Sequence, residues 1–167
     1  MMKRILCTLA LVACAALSLP ASAALLTDYG ENKLVDALFR GQALGTPATW
    51  YVGVSTGTCN DATPGTEPTG GYARQPVSAS LSAWAGTQSA GSTTASSGAG
   101  ATTSNNAVIQ FPASTAAWGN VQSVQLWDAV TAGNRWICVD VAAPFNVDRA
   151  GVELKFNAGQ LQFYVDN

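Results

Sequence analysis

Along most of this chain apolar and polar positions alternate residue by residue, and in one segment the apolar positions recur every third or fourth residue instead. Residues 49–55, TWYVGVS, place Trp50, Val52 and Val54 on one face of an extended segment. Ala107, Ile109 and Phe111 share a face, as do Val124 and Leu126. Ile137, Val139 and Val141 alternate with Trp136, Cys138 and Asp140. Val152, Leu154 and Phe156 alternate with Glu153 and Lys155, and Leu161, Phe163 and Val165 alternate with Gln162 and Tyr164. Short strands at close spacing predict a mainly β fold, an antiparallel β-sandwich that is jelly-roll-like or barrel-like.

The exception is 25–41, LLTDYGENKLVDALFRG, which predicts one N-terminal α-helix. Leu34/Leu38 and Val35/Phe39 are i,i+4 pairs that form a stripe able to pack on a sheet. Thr27 or Asp28 caps its start, with Glu31 three residues after Asp28, and Gly41 stops it. Between the periodic segments lie two long connections. Residues 56–71, TGTCNDATPGTEPTGG, read as a loop from their Gly, Pro, Asn and Asp content. Residues 85–104 carry neither charge nor aromatic ring and read as a mobile loop or as polar edge strands. The segment 72–84 holds one or two strands, with Pro76 favouring an edge or a bulge.

The leader changes the chemistry expected of the remaining chain. In MMKRILCTLALVACAALSLPASA, Lys3 and Arg4 precede an apolar run from Ile5 to Leu17, and Ala21-Ser22-Ala23 is a small-residue cleavage site. Residues 1–23 therefore read as a secretory signal cut between Ala23 and Ala24, with one domain over 24–167. The rival readings are a retained apolar helix, too short for a comfortable span, and lipidation at Cys14. Membrane contact is expected only in those two cases. A cleaved leader removes Cys7 and Cys14, and six basic against ten acidic residues then give a net charge of −4. Cys59 and Cys138 remain, and two cysteines permit one intramolecular pairing in an oxidising compartment; two separate buried thiols are the alternative.

Composition closes off more chemistry than it opens. The chain has no His, which removes the commonest general base and metal ligand, and no basic surplus for nucleic acid. Charged residues are only 11%. Asp140, Asp148 and Glu153 are the carboxylates that would serve an acid/base pair, but solvated strand faces are the plainer reading. Asn60, Asp61 and Asp148 lack the ligand spacing of a calcium loop. No cofactor, no metal and no catalytic residue is expected. Of the five Trp residues, Trp50 and Trp136 read as packing, whereas Trp84 and Trp118 are the candidates for exposed contact aromatics, such as a stacking surface for glycans.

Four blocks, taken in order, resemble a family of small tailed-bacteriophage virion proteins of the tail-fibre-like kind. They are LTDYGENKLVDALFRG at 26–41, ATWYVGVSTGTCNDATPGTEPTGGYARQPV at 48–77, NNAVIQFPASTAAWGNVQSVQLWDAVTAGN at 105–134 and LKFNAGQLQFYVD at 154–166. In that family the last block corresponds to a final hairpin. The resemblance implies a non-enzymatic structural subunit, tail-fibre-like or capsid decoration-like. Its partners would be copies of itself, a trimer among the options, and other virion proteins. The place it implies is the virion, while the leader taken alone implies export to the periplasm or beyond. The alternative function is an exported β-sandwich module that binds surface glycans.

Overall fold

The computed structural model describes residues 25–89, 91–98 and 101–164. The expected leader, the Ala23–Ala24 cleavage site, Cys7 and Cys14 lie outside the described residues, as does Val165. Among the described residues the chain is mainly β, with antiparallel sheets and one helix. A five-stranded sheet has the order β1-β8-β7-β2-β3, from β1 (Leu25–Leu26), β2 (Thr49–Ser55), β3 (Gln75–Ser78), β7 (Gly119–Trp127) and β8 (Arg135–Val147). A three-stranded sheet has the order β10-β5-β4, from β4 (Trp84–Ala85), β5 (Thr102–Asn105) and β10 (Gln162–Tyr164). A two-stranded ribbon joins β6 (Ile109–Gln110) to β9 (Lys155–Phe156).

Registry explains the layering. Val52 stands opposite Leu126, and Leu126 opposite Ile137; Val54 stands opposite Val124, and Val124 opposite Val139. Paired residues point the same way, so these side chains make one apolar face. With Val121 and Val147 they meet Phe163 of the second sheet and Ile109 of the ribbon in one buried cluster, joined by Phe111, Trp118, Leu154 and Leu161. The core therefore sits between layers, as in a sandwich. The low-complexity stretch at 85–104 is bracketed by β4 and β5, and Pro76 lies in β3, on an edge of the large sheet.

The last block departs from the expected hairpin. β9 pairs with β6 and β10 with β5, so the turn at 157–160 carries the chain from the ribbon into the three-stranded sheet. Asn105, 1% exposed, makes that step possible. Its Nδ2 donates to the carbonyls of Ala107 (2.7 Å) and Asn157 (2.9 Å), and its Oδ1 accepts from Leu161 N (2.9 Å). One buried amide thus satisfies backbone groups that neither sheet can reach.

The helix, α1 (Asp28–Phe39), is shorter than the expected 25–41, because its first residues belong to a sheet. Leu25 and Leu26 pair with Cys138 and Ile137 as β1. Thr27 then caps the helix: its Oγ1 accepts from Gly30 N and donates to the carbonyl of Arg135, while its backbone N donates to Trp136 O at 3.0 Å. Gly41, at φ 65°, ends it in the left-handed region.

Gly30, the one buried residue of the helix, is there for proximity and not for flexibility. A Cβ at this position would stand 2.5 Å from the carbonyl oxygen of Trp136, which is backbone and cannot rotate away. Ala inside a helix is ordinarily favoured over Gly by about 1 kcal/mol. Here Gly30→Ala is expected to destabilise by about 1–3 kcal/mol, the usual cost of overpacking. A thermal melt showing a raised midpoint would refute the close approach.

Candidate functional site

The side chains that look chemical in the sequence are engaged on the outer face of the five-stranded sheet. Tyr51, Gly53, Ser55, Ser123, Gln125 and Cys138 share that face by registry. The loop at 56–71 lies flat across it. Cys59 is bonded to Cys138, with Cα atoms 5.7 Å apart. Cys59 N donates to Asp140 Oδ1 at 2.6 Å. Ser123 Oγ donates to Gly57 O at 2.8 Å, and Gln125 Nε2 donates to Pro64 O at 2.5 Å. Arg135, 6% exposed, donates to the carbonyls of Asn60 and Asp61. Burial lowers the Arg135 guanidinium from its ordinary range, against the pull of Asp61 and Asp28.

A second group locks the end of the loop. Arg74, 4% exposed by its side chain, forms a two-pronged pair with Glu67: Nε to Oε1 at 2.8 Å and one terminal nitrogen to Oε2 at 2.7 Å. Its other terminal nitrogen donates to the carbonyls of Ala129 and Ala132, and the guanidinium lies 3.6 Å over the Trp127 ring. Tyr72 OH donates to Glu67 Oε1 at 2.7 Å and accepts from Val54 N at 2.9 Å. Burial first, and the Glu67 carboxylate next, push this hydroxyl far above its ordinary value, which keeps it a donor. Gly53 leaves the room they occupy, since a Cβ there would stand 2.9 Å from the Tyr72 hydroxyl.

The remaining carboxylates have local partners. Asp148 pairs with Arg149 at 2.9 Å on the surface, and Glu153 accepts from Gln110 at 3.1 Å. Asn60 Oδ1 accepts from the backbone of Ala62 and Thr63. Asp128 holds the β7–β8 turn by accepting from both nitrogens of Asn134; burial would raise its carboxyl, but those hydrogen bonds bring it below the ordinary range. Among the described residues no cluster of three or more His, Cys, Asp or Glu side chains is placed to hold a metal ion.

Trp118 is not the exposed contact aromatic that its place in a connection suggested. It is 6% exposed, edge-on to Tyr72 at 5.7 Å, and its Nε1 donates to Gly70 O at 2.9 Å. The connection before it is drawn in because Thr115 N also bonds to Gly70 O, where Gly70 and Gly71 have positive φ and Cβ atoms would press on residues 113–116. A stacking surface for glycans therefore cannot use Trp118. Trp84 is half-buried, 5.9 Å from Phe163 by ring centroids, and its buried Nε1 finds no hydrogen-bond partner among the described residues.

Among the described residues apolar surface stays open in several places, two of which are a cleft and a helix face. An open cleft of about 560 Å³ separates the two larger sheets at one end. Trp50, Leu126 and Ile137 form one wall, Trp84 and Phe163 the other, and Leu81, 53% exposed, stands at its rim. Among the described residues no charged side chain lines it. The second surface is the far half of α1. The stripe read in the sequence does not pack on the sheet: Val35 is 50% exposed, Leu38 67% and Phe39 81%. The first turn of the helix meets the body through Tyr29 against Trp136 (5.3 Å) and Gly30, and Leu34 of the stripe is half-buried. Spacing reveals an apolar stripe but does not say what covers it, so the sequence left this exposure unread.

Comparison with known proteins gives one family. The model of the family described as Podophage GP4 fiber I protein gp80 matches residues 25–164, which takes in every element from β1 to β10. No curated protein matches the chain.

Proposed function

Since this chain belongs to the Podophage GP4 fiber I protein gp80 family, we propose that it is a structural component of a virion fibre, non-enzymatic, and that it works by assembling with copies of itself. The family match carries the reading. The geometry supports it in a particular way. Tyr72, Glu67, Arg74, Asp140 and the cysteine pair are engaged in fastening one loop to one sheet, a structural use of side chains that look chemical in the sequence. The open cleft and the outer residues Val35, Leu38 and Phe39 of the helix are apolar, the character of a packing surface.

Two measurements test it. Purified particles are expected to contain the chain by mass spectrometry, with antibody label on the fibres by electron microscopy. The purified full chain is expected to exceed the monomer mass in light scattering at micromolar concentration. Absence from particles would overturn the virion role, and a strict monomer would overturn self-assembly.

A further inference from the structure

Among the described residues of one copy, α1 offers a convex apolar end left uncovered, and the sheets offer a concave apolar cleft left unfilled. We propose that the Val35, Leu38 and Phe39 face of one subunit docks in the cleft of a second copy, between Trp50 and Trp84. This rests on the self-assembly reading above and names the contact that would carry it.

Four observations favour a second copy as the occupant. The chemistry of the two surfaces matches: three large aliphatic and aromatic side chains on one, and Trp, Leu, Ile and Phe walls without any charge on the other. Two charges beside Phe39 are paired with each other, Asp36 with Arg40 at 2.8 Å on the helix itself, which lowers the charge carried toward an apolar site. The first turn of the same helix also lies beside a wall of the cleft within a subunit. Tyr29 meets Trp136 edge-on at 5.3 Å, and Trp136 meets Trp50, a cleft wall, at 5.5 Å. Surfaces so placed can be exchanged between adjacent copies around a closed axis, each subunit giving a helix and receiving one. Finally, the cleft is of the size that encloses a group of side chains: sites that bury a compact ligand run to about 300–1,000 Å³, and this one is about 560 Å³.

Phe39 is the anchor to test, because at 81% exposure it can be changed without disturbing the folded subunit. Phe39→Glu is expected to leave the circular-dichroism spectrum and melting of the subunit intact and to weaken self-association roughly thirtyfold, the loss expected on removing one buried aromatic anchor. Thr103→Trp, which fills the cleft from β5, is expected to do the same from the receiving side. A third variant joins the halves: Phe39→Cys with Leu81→Cys is expected to form covalent oligomers on mild oxidation, sensitive to reductant in a denaturing gel, while either single variant does not.

The outcomes separate cleanly. An oligomeric wild type whose mass is unchanged in both Phe39→Glu and Thr103→Trp would overturn this contact and leave self-assembly standing. A monomeric wild type would overturn both. A crosslink that forms only within one chain would show the helix folding into its own cleft and would overturn the exchange. A monomer whose cleft takes up an apolar dye would overturn it too and assign the cleft to a small apolar ligand.

Discussion

Removing the Cys59–Cys138 bond, as Cys59→Ala with Cys138→Ala, is expected to lower the free energy of unfolding by about 4 kcal/mol. The two residues are 79 apart in sequence. Tying such distant points restricts the unfolded chain, and the loop-closure relation puts the effect of a loop this long at about 4.5 kcal/mol before any strain or residual structure is deducted. The folded state loses something as well. Cys138 is fully buried, and its partner fixes the first half of a loop whose other ties there include hydrogen bonds to Ser123, Gln125, Arg135 and Asp140. Each such bond contributes about 1 kcal/mol net, so they do not replace a covalent tie. The check is urea unfolding of the wild type with and without reductant beside the double variant. The reduced wild type and the variant should share a lowered midpoint. A shift below about 1 kcal/mol would mean that the polar ties alone hold the loop, against the loop-closure expectation.

Arg74→Met is expected to cost about 3 kcal/mol, the lower end for breaking a buried ion pair by removing one partner. The lower end applies because the Glu67 side chain keeps 29% of its exposure and can be hydrated once alone. The change also strips donors from the carbonyls of Ala129 and Ala132 and uncovers the Trp127 ring. Arg74→Lys is expected to recover less than half of the loss. A lysine keeps the charge but cannot present a planar fork to the carboxylate while lying flat on an indole. Glu67→Gln combined with Arg74→Met should cost clearly less than the sum of the two single changes, because both remove the same pair. Denaturant midpoints of the wild type and these variants decide it. Additive losses would show that Arg74 works through Trp127 and the carbonyls instead of through Glu67.

These two sites show where sequence reading reached and where it stopped. Strands were legible where the alternation is long: 49–55 forms β2 and the run from Ile137 to Val141 lies in β8, whereas the alternation at 107–111 and 152–156 yields only the two-residue strands Ile109–Gln110 and Lys155–Phe156. The end of the helix was legible from Gly41, because a left-handed stop is a local property. Its beginning was not, since Leu25 and Leu26 take their conformation from β8, more than a hundred residues away. The string GGYARQ was recognisable in the resemblance without showing what it does. Gly70 and Gly71 admit the 113–116 connection, while Tyr72 and Arg74 converge on Glu67. That role depends on partners at 53, 127, 129 and 132, and no local pattern names them. Trp118 failed as an exposed aromatic for the same reason. The two apolar surfaces were half visible: the stripe of α1 was countable, but its lack of a covering sheet is a fact of three dimensions.

An edge of the large sheet sets a limit on how such a subunit can grow. That edge is β3, where Pro76 has no N–H to offer a neighbouring strand. A subunit that meets copies of itself at high local density runs the risk of strands adding edge to edge without limit, as in amyloid. Along β3 a foreign strand would meet a residue without a donor. In the proposed assembly, contact between copies on that side is left to side-chain surfaces, whose shape admits a fixed number of neighbours and then is full. The feature that looks least constructive, a proline in an edge strand, would then help to keep the proposed assembly countable.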